Sequence, residues 1–239
     1  MKKTFLEIGS IILAIMIIFT GCSSANLNSE GYVNNNLPIN STEVSVSHTT
    51  TTQTTTDLTN IEKDGILYMV EEEKLAHDVY SYLYDLWGLT IFKNIQSSEQ
   101  THMNEVLGLI EKYGLVAPST LYKQGVFTDP HLQQLYNDLT TQGSKSIVDA
   151  LKVGALIEET DIIDLKSYIN NTDKNDIKTV YTNLMNGSKN HLRAFVSQLS
   201  SNGVKYAPVL LSVEEYNAII ETSNGSSNGK GNFGKSGGH

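Results

Sequence analysis

The chain has 239 residues, a formal net charge of −9 and a single cysteine. The acidic excess comes without a basic stripe or an aromatic-plus-lysine patch, which excludes nucleic acid as the expected partner. One cysteine excludes an internal disulfide framework, and the length leaves room for one core-burying domain between polar ends.

The N-terminus reads as an export signal. Lys2 and Lys3 form a short positive region, and after Glu7 an apolar run extends from Ile11 to Phe19. The run is too short for a spanning helix, which needs about 20 apolar residues, and suits the apolar region of a signal peptide. It ends in Phe19-Thr20-Gly21-Cys22. This motif resembles the lipobox of prokaryotic lipoproteins, with Phe19 where Leu is usual. The resemblance implies a signal over residues 1–21, cleavage before Cys22 and lipid on its sulfur. The protein is thus expected outside the cytoplasm, anchored to a prokaryotic membrane through Cys22.

Residues 22–60 are rich in Ser, Thr and Asn, with no helical period. Such a segment buries too little to offset its ordering entropy and reads as a tether. Residues 223–239 form a Gly/Ser tail ending in His239. A folded domain is expected over 61–206, followed by a short helix within 207–222.

Helical period dominates between these ends. Helix A is predicted over 62–87, with Met69, Ala76, Val79, Leu83 and Leu86 on one stripe and Gly88 as its stop. Helix B covers 91–113. A looser stretch with Pro118 and Gly125 follows, then a short helix over 130–141 opened by Asp129-Pro130. Helix C covers 144–170, with Leu151, Ala155, Glu158, Ile162, Leu165 and Ile169 as its seam. Helix D covers 173–200, capped by Thr172 or Asp173, and "NGS" at 186–188 predicts a kink or bulge. A last helix spans 213–221. The long connection falls between B and C, so the expected fold is all-α: two helical hairpins joined by one crossover, the ferritin-like bundle topology.

Helix B carries Glu99 and His102 on a face that is otherwise apolar: Ile95, Val106, Leu109, Ile110. Residues three apart share a helix face. A dinuclear carboxylate site needs one Glu from each of two helices and Glu-x-x-His from each of the other two. Carboxylates neutralise and bridge hard cations, and each imidazole adds a nitrogen ligand. Helix A offers Glu73, with Glu72 as the alternative and Tyr80 two turns on. Helix C offers Glu158, with Glu159 as the alternative and Asp161 one turn later. Helix D offers His191, but the residue three before it is Ser188. The competing expectation is a metal-free polar core in which Lys74 and Arg193 pair with these acids. His77 is weighed as a group behind the ligands and as a surface residue, His131 is expected to be exposed, and most tyrosines are expected at the rim.

Four motifs in order, "EEEKLAHDVY", "IFKNIQSSEQTHM", "ALKVGALIEETDI" and "GSKNHLRAF", resemble a family of prokaryotic ferritin-like domains of unassigned function, related in fold to rubrerythrin and bacterioferritin. The resemblance covers about 61–206. It implies Glu73, Glu99, His102, Glu158 and His191 as metal ligands, iron or manganese as the cofactor, and oxidase or peroxide-detoxifying activity. Ser188 departs from the second Glu-x-x-His, so two metals, one or none are all compatible with the pattern. The chain has no cysteine set for a rubredoxin-type iron, so electrons would come from a separate donor protein. A homodimer is an assembly the resemblance allows. The alternative expectation is a cell-surface binding or structural module with a degenerate site; a storage cage fits a lipid anchor poorly.

Overall fold

The computed structural model describes residues 58–222. The signal segment, Cys22, most of the tether and the Gly/Ser tail lie outside the described residues. Six helices make up the described part: α1 Asn60–Trp87, α2 Thr90–Lys112, α3 Pro130–Gly143, α4 Ile147–Asn170, α5 Asn175–Ser201 and α6 Val213–Glu221. No strand occurs among the described residues, and no helix there is long and apolar enough to cross a membrane.

Local chemistry sets the helix ends. Thr59 caps α1 in a capping box with Glu62, whose carboxylate accepts from the Thr59 amide at 2.8 Å. Gly88 ends α1 at φ 67°. Asp129 caps α3 ahead of Pro130, Ser146 caps α4 and Ser212 caps α6. Two expected starts move. α4 begins at Ile147, not at 144, because the Ser146 side chain takes the Asp149 amide. α5 begins after Lys174, because the Thr172 hydroxyl, while donating to Glu62 at 2.6 Å, accepts from the Lys174 amide at 3.1 Å and closes a turn ahead of the helix.

Helix α1 packs on α2 and α4 on α5; α1 also meets α4 and α2 meets α5, which closes a four-helix bundle. The crossover between α2 and α4 carries α3, which packs on α1 and α4. Two buried acids fasten the connections. Glu71 accepts from the Thr120 hydroxyl and the Thr128 amide, each at 2.7 Å, and from the Asp129 amide. Glu159 accepts from the Tyr206 hydroxyl at 2.6 Å and from the amides of Val209, Leu210 and Leu211. That many donors satisfy a buried carboxylate without a counter-ion beside it.

The core is split along the bundle axis. One apolar cluster holds Val79 and Leu83 of α1, Phe92 and Ile95 of α2, Leu151 of α4, and Phe195 and Leu199 of α5. The other holds Ile66 and Met69, Val106 and Leu109, Leu165, and Ile177 and Leu184 of the same helices. On each of these helices a polar layer separates the two clusters: Glu71–Lys74, Glu99 and His102, Glu158–Asp161, Ser188 and His191, all buried. Leu86, expected on the inward stripe of α1, is instead 47% exposed.

Candidate metal centre

The polar layer brings together all five residues singled out as ligands. Glu99 lies at its centre. One carboxylate oxygen, Oε2, is 2.6 Å from Nδ1 of His102, and the other, Oε1, is 2.8 Å from Nδ1 of His191. His102 Nδ1 also faces Glu73 Oε2 at 3.1 Å, and His191 Nδ1 faces Glu158 Oε2 at 3.4 Å. Two sets result, Glu73–Glu99–His102 and Glu99–Glu158–His191, each with its donor atoms within 4.8 Å of one another. Ligands about 2.1 Å from one ion lie no more than about 4.2 Å apart, so each set needs little adjustment to close on a cation.

The sequence leaves Glu72 against Glu73, and Glu158 against Glu159, undecided. The structure separates them. Glu73 and Glu158 face the imidazoles, whereas Glu72 lies against Asp164 and Glu159 holds the C-terminal segment. His191 presents Nδ1 to the acids because its other nitrogen, Nε2, is 2.9 Å from the Ser98 hydroxyl; that partner fixes which nitrogen is free for a metal. The rings of His102 and His191 stack at 5.5 Å. Tyr80, expected as a hydrogen-bonding neighbour, is fully buried and donates to Glu158 Oε1 at 2.6 Å.

The "NGS" segment does not kink α5, which runs unbroken from Asn175 to Ser201. Gly187 serves the site differently: a Cβ there would lie 2.4 Å from Nε2 of His102. The glycine clears space for the imidazole within a helix that stays whole. Ser188 is fully buried, and its hydroxyl donates back to the Leu184 carbonyl at 3.1 Å.

A metal-free core neutralised by Lys74 and Arg193 is not what forms. Lys74 pairs with Asp78 and sits over the Phe127 ring at 4.1 Å. Arg193 donates to the Ile219 carbonyl at 3.0 Å and to Asn190. His77 bonds to Asp78 at 2.9 Å, away from the ligands. His131, expected to be exposed, is half-buried.

What remains is a heavy excess of buried acid. Burial pushes Glu73 up to about 8 although His102 pulls it down. Burial also raises Glu158. Burial and the carboxylates of Glu73 and Glu72 raise Asp161 well above the usual range. Against the same burial, His102 and His191 hold Glu99 at about 2. Burial lowers both imidazoles, but Glu73 and Glu99 lift His102 to about 11, and Glu158 and Glu99 lift His191 to about 10. Both oxygens of Asp161, and one oxygen each of Glu73 and Glu158, are buried without a hydrogen-bond partner. An unpaired buried carboxylate costs several kcal/mol, and it persists where a cation offsets it. Hard oxygen donors with one imidazole per set suit a divalent first-row metal, so these buried Glu/His groups could hold a metal ion.

Sequence reasoning missed Ser98, Gly187 and the Glu72–Asp164 pair. Ser98 precedes Glu99 directly, and a hydroxyl beside a ligand carries no signal until the facing helix is placed.

The chain resembles proteins that are themselves without an assigned function. It is 55% identical over 162 residues to the uncharacterized protein MJ0754 of Methanocaldococcus jannaschii, covering 68% of this chain and 88% of that protein. The crystal structure of the hypothetical protein MJ0754 from Methanococcus jannaschii superposes with a TM-score of 0.68 at 53% identity, covering 69% of this chain and 94% of the other. A family model described as an uncharacterized protein domain (DUF2202) matches residues 62–223, which takes in the bundle from the first turn of α1 onward and every residue of the polar layer. The chain belongs to the DUF2202 family.

Proposed function

We propose that the protein is a membrane-tethered, ferritin-like metal protein that carries a dinuclear non-haem centre of iron or manganese. Glu99 would be shared by two half-sites, with Glu73 and His102 holding one ion and Glu158 and His191 the other. One observation carries this reading: the two oxygens of a fully buried Glu99 face two different imidazoles, and each imidazole faces a second carboxylate of its own. A salt bridge needs one partner; a carboxylate shared between two equivalent half-sites is what two adjacent cations require.

Such a pair of ions, when bound, supplies oxidation–reduction chemistry with oxygen or peroxide. The protein's own contributions are positional. Ser98 fixes His191, Tyr80 fixes Glu158, and apolar layers above and below keep bulk water from the centre. An oxidase or peroxide-consuming role would draw electrons from a separate donor protein, and lipid on Cys22 would keep the domain at the membrane surface.

The test is metal content of the purified full-length chain after anaerobic loading with Fe(II) or Mn(II). The reading expects roughly two ions per chain; fewer than about one overturns it. Ser188, its hydroxyl turned into its own helix, favours a second reading: a helical module at the cell surface whose site is degenerate. That reading expects the double substitution Glu99→Ala, His102→Ala to leave both metal content and stability unchanged.

A further inference from the structure

We infer that Asp161 of α4 is the sixth protein ligand of the centre and takes the role that Ser188 cannot. The inference rests on the dinuclear reading above and extends it to a residue outside both three-ligand sets.

Two Glu-x-x-His helices and two single-Glu helices give six ligands, and here the carboxylate of the second Glu-x-x-His is missing. Ser188 does not replace it, because its hydroxyl is committed to the Leu184 carbonyl. Three further buried acids border the layer: Glu72, Asp161 and Asp164, at 3%, 1% and 2% exposure. They are not alike. Glu72 and Asp164 lie against each other, and each leaves one oxygen, Oε2 and Oδ2, without a partner. Asp161 has no such arrangement. Both of its oxygens are buried without a partner, and the groups acting on it are the carboxylates of Glu73, Glu72, Glu158 and Glu99. No donor from the protein reaches it, and an acid buried among ligand carboxylates ionises only where a cation offsets the charge.

Its position fits the role. Asp161 lies one turn beyond Glu158 on the same face of α4. α4 therefore carries two carboxylates three residues apart, and α5 carries the histidine alone. The four ligand carboxylates Glu73, Glu99, Glu158 and Asp161 together match the charge of two divalent ions. The usual second carboxylate has moved from one helix of the hairpin to the other, with the total charge preserved.

The experiment compares the full-length chain with Asp161→Asn and Asp164→Asn, each loaded anaerobically with Fe(II) and separately with Mn(II), by metal analysis after desalting. Asp161→Asn is expected to fall from roughly two ions per chain to roughly one, and Asp164→Asn to keep both. Circular dichroism of the metal-free proteins guards against a folding artefact: replacing a buried acid that has no partner should leave Asp161→Asn at least as heat-stable as the parent. If that variant does not fold, Asp161→Ala is read in the same way. Two ions retained in the Asp161 variant at unchanged affinity overturn this inference alone. A parent chain holding fewer than about one ion overturns the dinuclear reading, and this inference with it.

Discussion

Gly187 of α5 stands against the imidazole of His102 of α2, and a Cβ at position 187 would come within 2.4 Å of Nε2. Hydrogen at this position is what allows α5 to pass the ring. Gly187→Ala gains helix propensity, about 1 kcal/mol in an exposed helix. Here it must push His102 away from Glu73 and Glu99. The expected result is at least a tenfold loss of metal affinity with helicity intact, read by isothermal titration with Mn(II) and far-ultraviolet circular dichroism. Unchanged affinity would mean that His102 does not bind the metal.

Ser98 makes a subtler contribution. It holds Nε2 of His191 at 2.9 Å and so leaves Nδ1 facing Glu99 and Glu158. Ser98→Ala frees the ring to choose its tautomer. A loss of about tenfold in affinity is expected for one of two ions, with the Glu73–His102 side unaffected. Two-phase titration curves of the variant, against a single tight phase in the parent, would display it.

The four-helix fold was legible because its period is plain: residues such as Val79, Leu83, Leu151 and Leu199 recur at helical steps and do line the core. The five Glu and His residues were legible as a group because each falls at a helical step from apolar neighbours, as Glu99 and His102 do with Ile95, Val106 and Leu109. Choosing Glu73 over Glu72 was not, since adjacent helical residues differ by about 100° and the facing helices decide which looks inward. The sequence does not single out Glu71 and offers Glu159 only as the alternative to Glu158, yet both are buried and satisfied by amides from segments 50 or so residues away. Gly187 misled: a glycine in a helix signals a break by propensity, and its use as clearance for His102 exists only in three dimensions.

Glu159 is expected to matter for stability and not for metal. Its carboxylate collects the amides of Val209, Leu210 and Leu211 and the Tyr206 hydroxyl. Glu159→Ala leaves those donors buried and unpaired and should cost about 3 kcal/mol or more. A lowered urea midpoint with full metal content is the expected pair of results. Loss of metal at unchanged stability would return Glu159 to the ligand set.

Metal uptake should release protons and strengthen as pH rises. In the metal-free protein His102 and His191 are lifted to about 11 and about 10 by their carboxylates, so both carry a proton at neutral pH. Their contribution to metal-free stability is complete below the ordinary histidine value near 6.5 and is lost as pH climbs through 10 to 11. Glu73, raised to about 8 mainly by burial, works in the same direction: its contribution is present below about 4.5 and disappears through 8. Glu99, held at about 2, has the opposite sign, stabilising above about 4.5 and failing as pH falls toward 2. A cation must displace the imidazole protons and that of Glu73 to reach their lone pairs. Raising the pH from 6 to 8 therefore weakens the metal-free fold while it tightens metal binding. Titration calorimetry with Mn(II) in two buffers of different ionisation enthalpy should give a net release of about two protons or more per chain at pH 7. Binding without proton release would show that the ions do not sit between His102, His191 and Glu99.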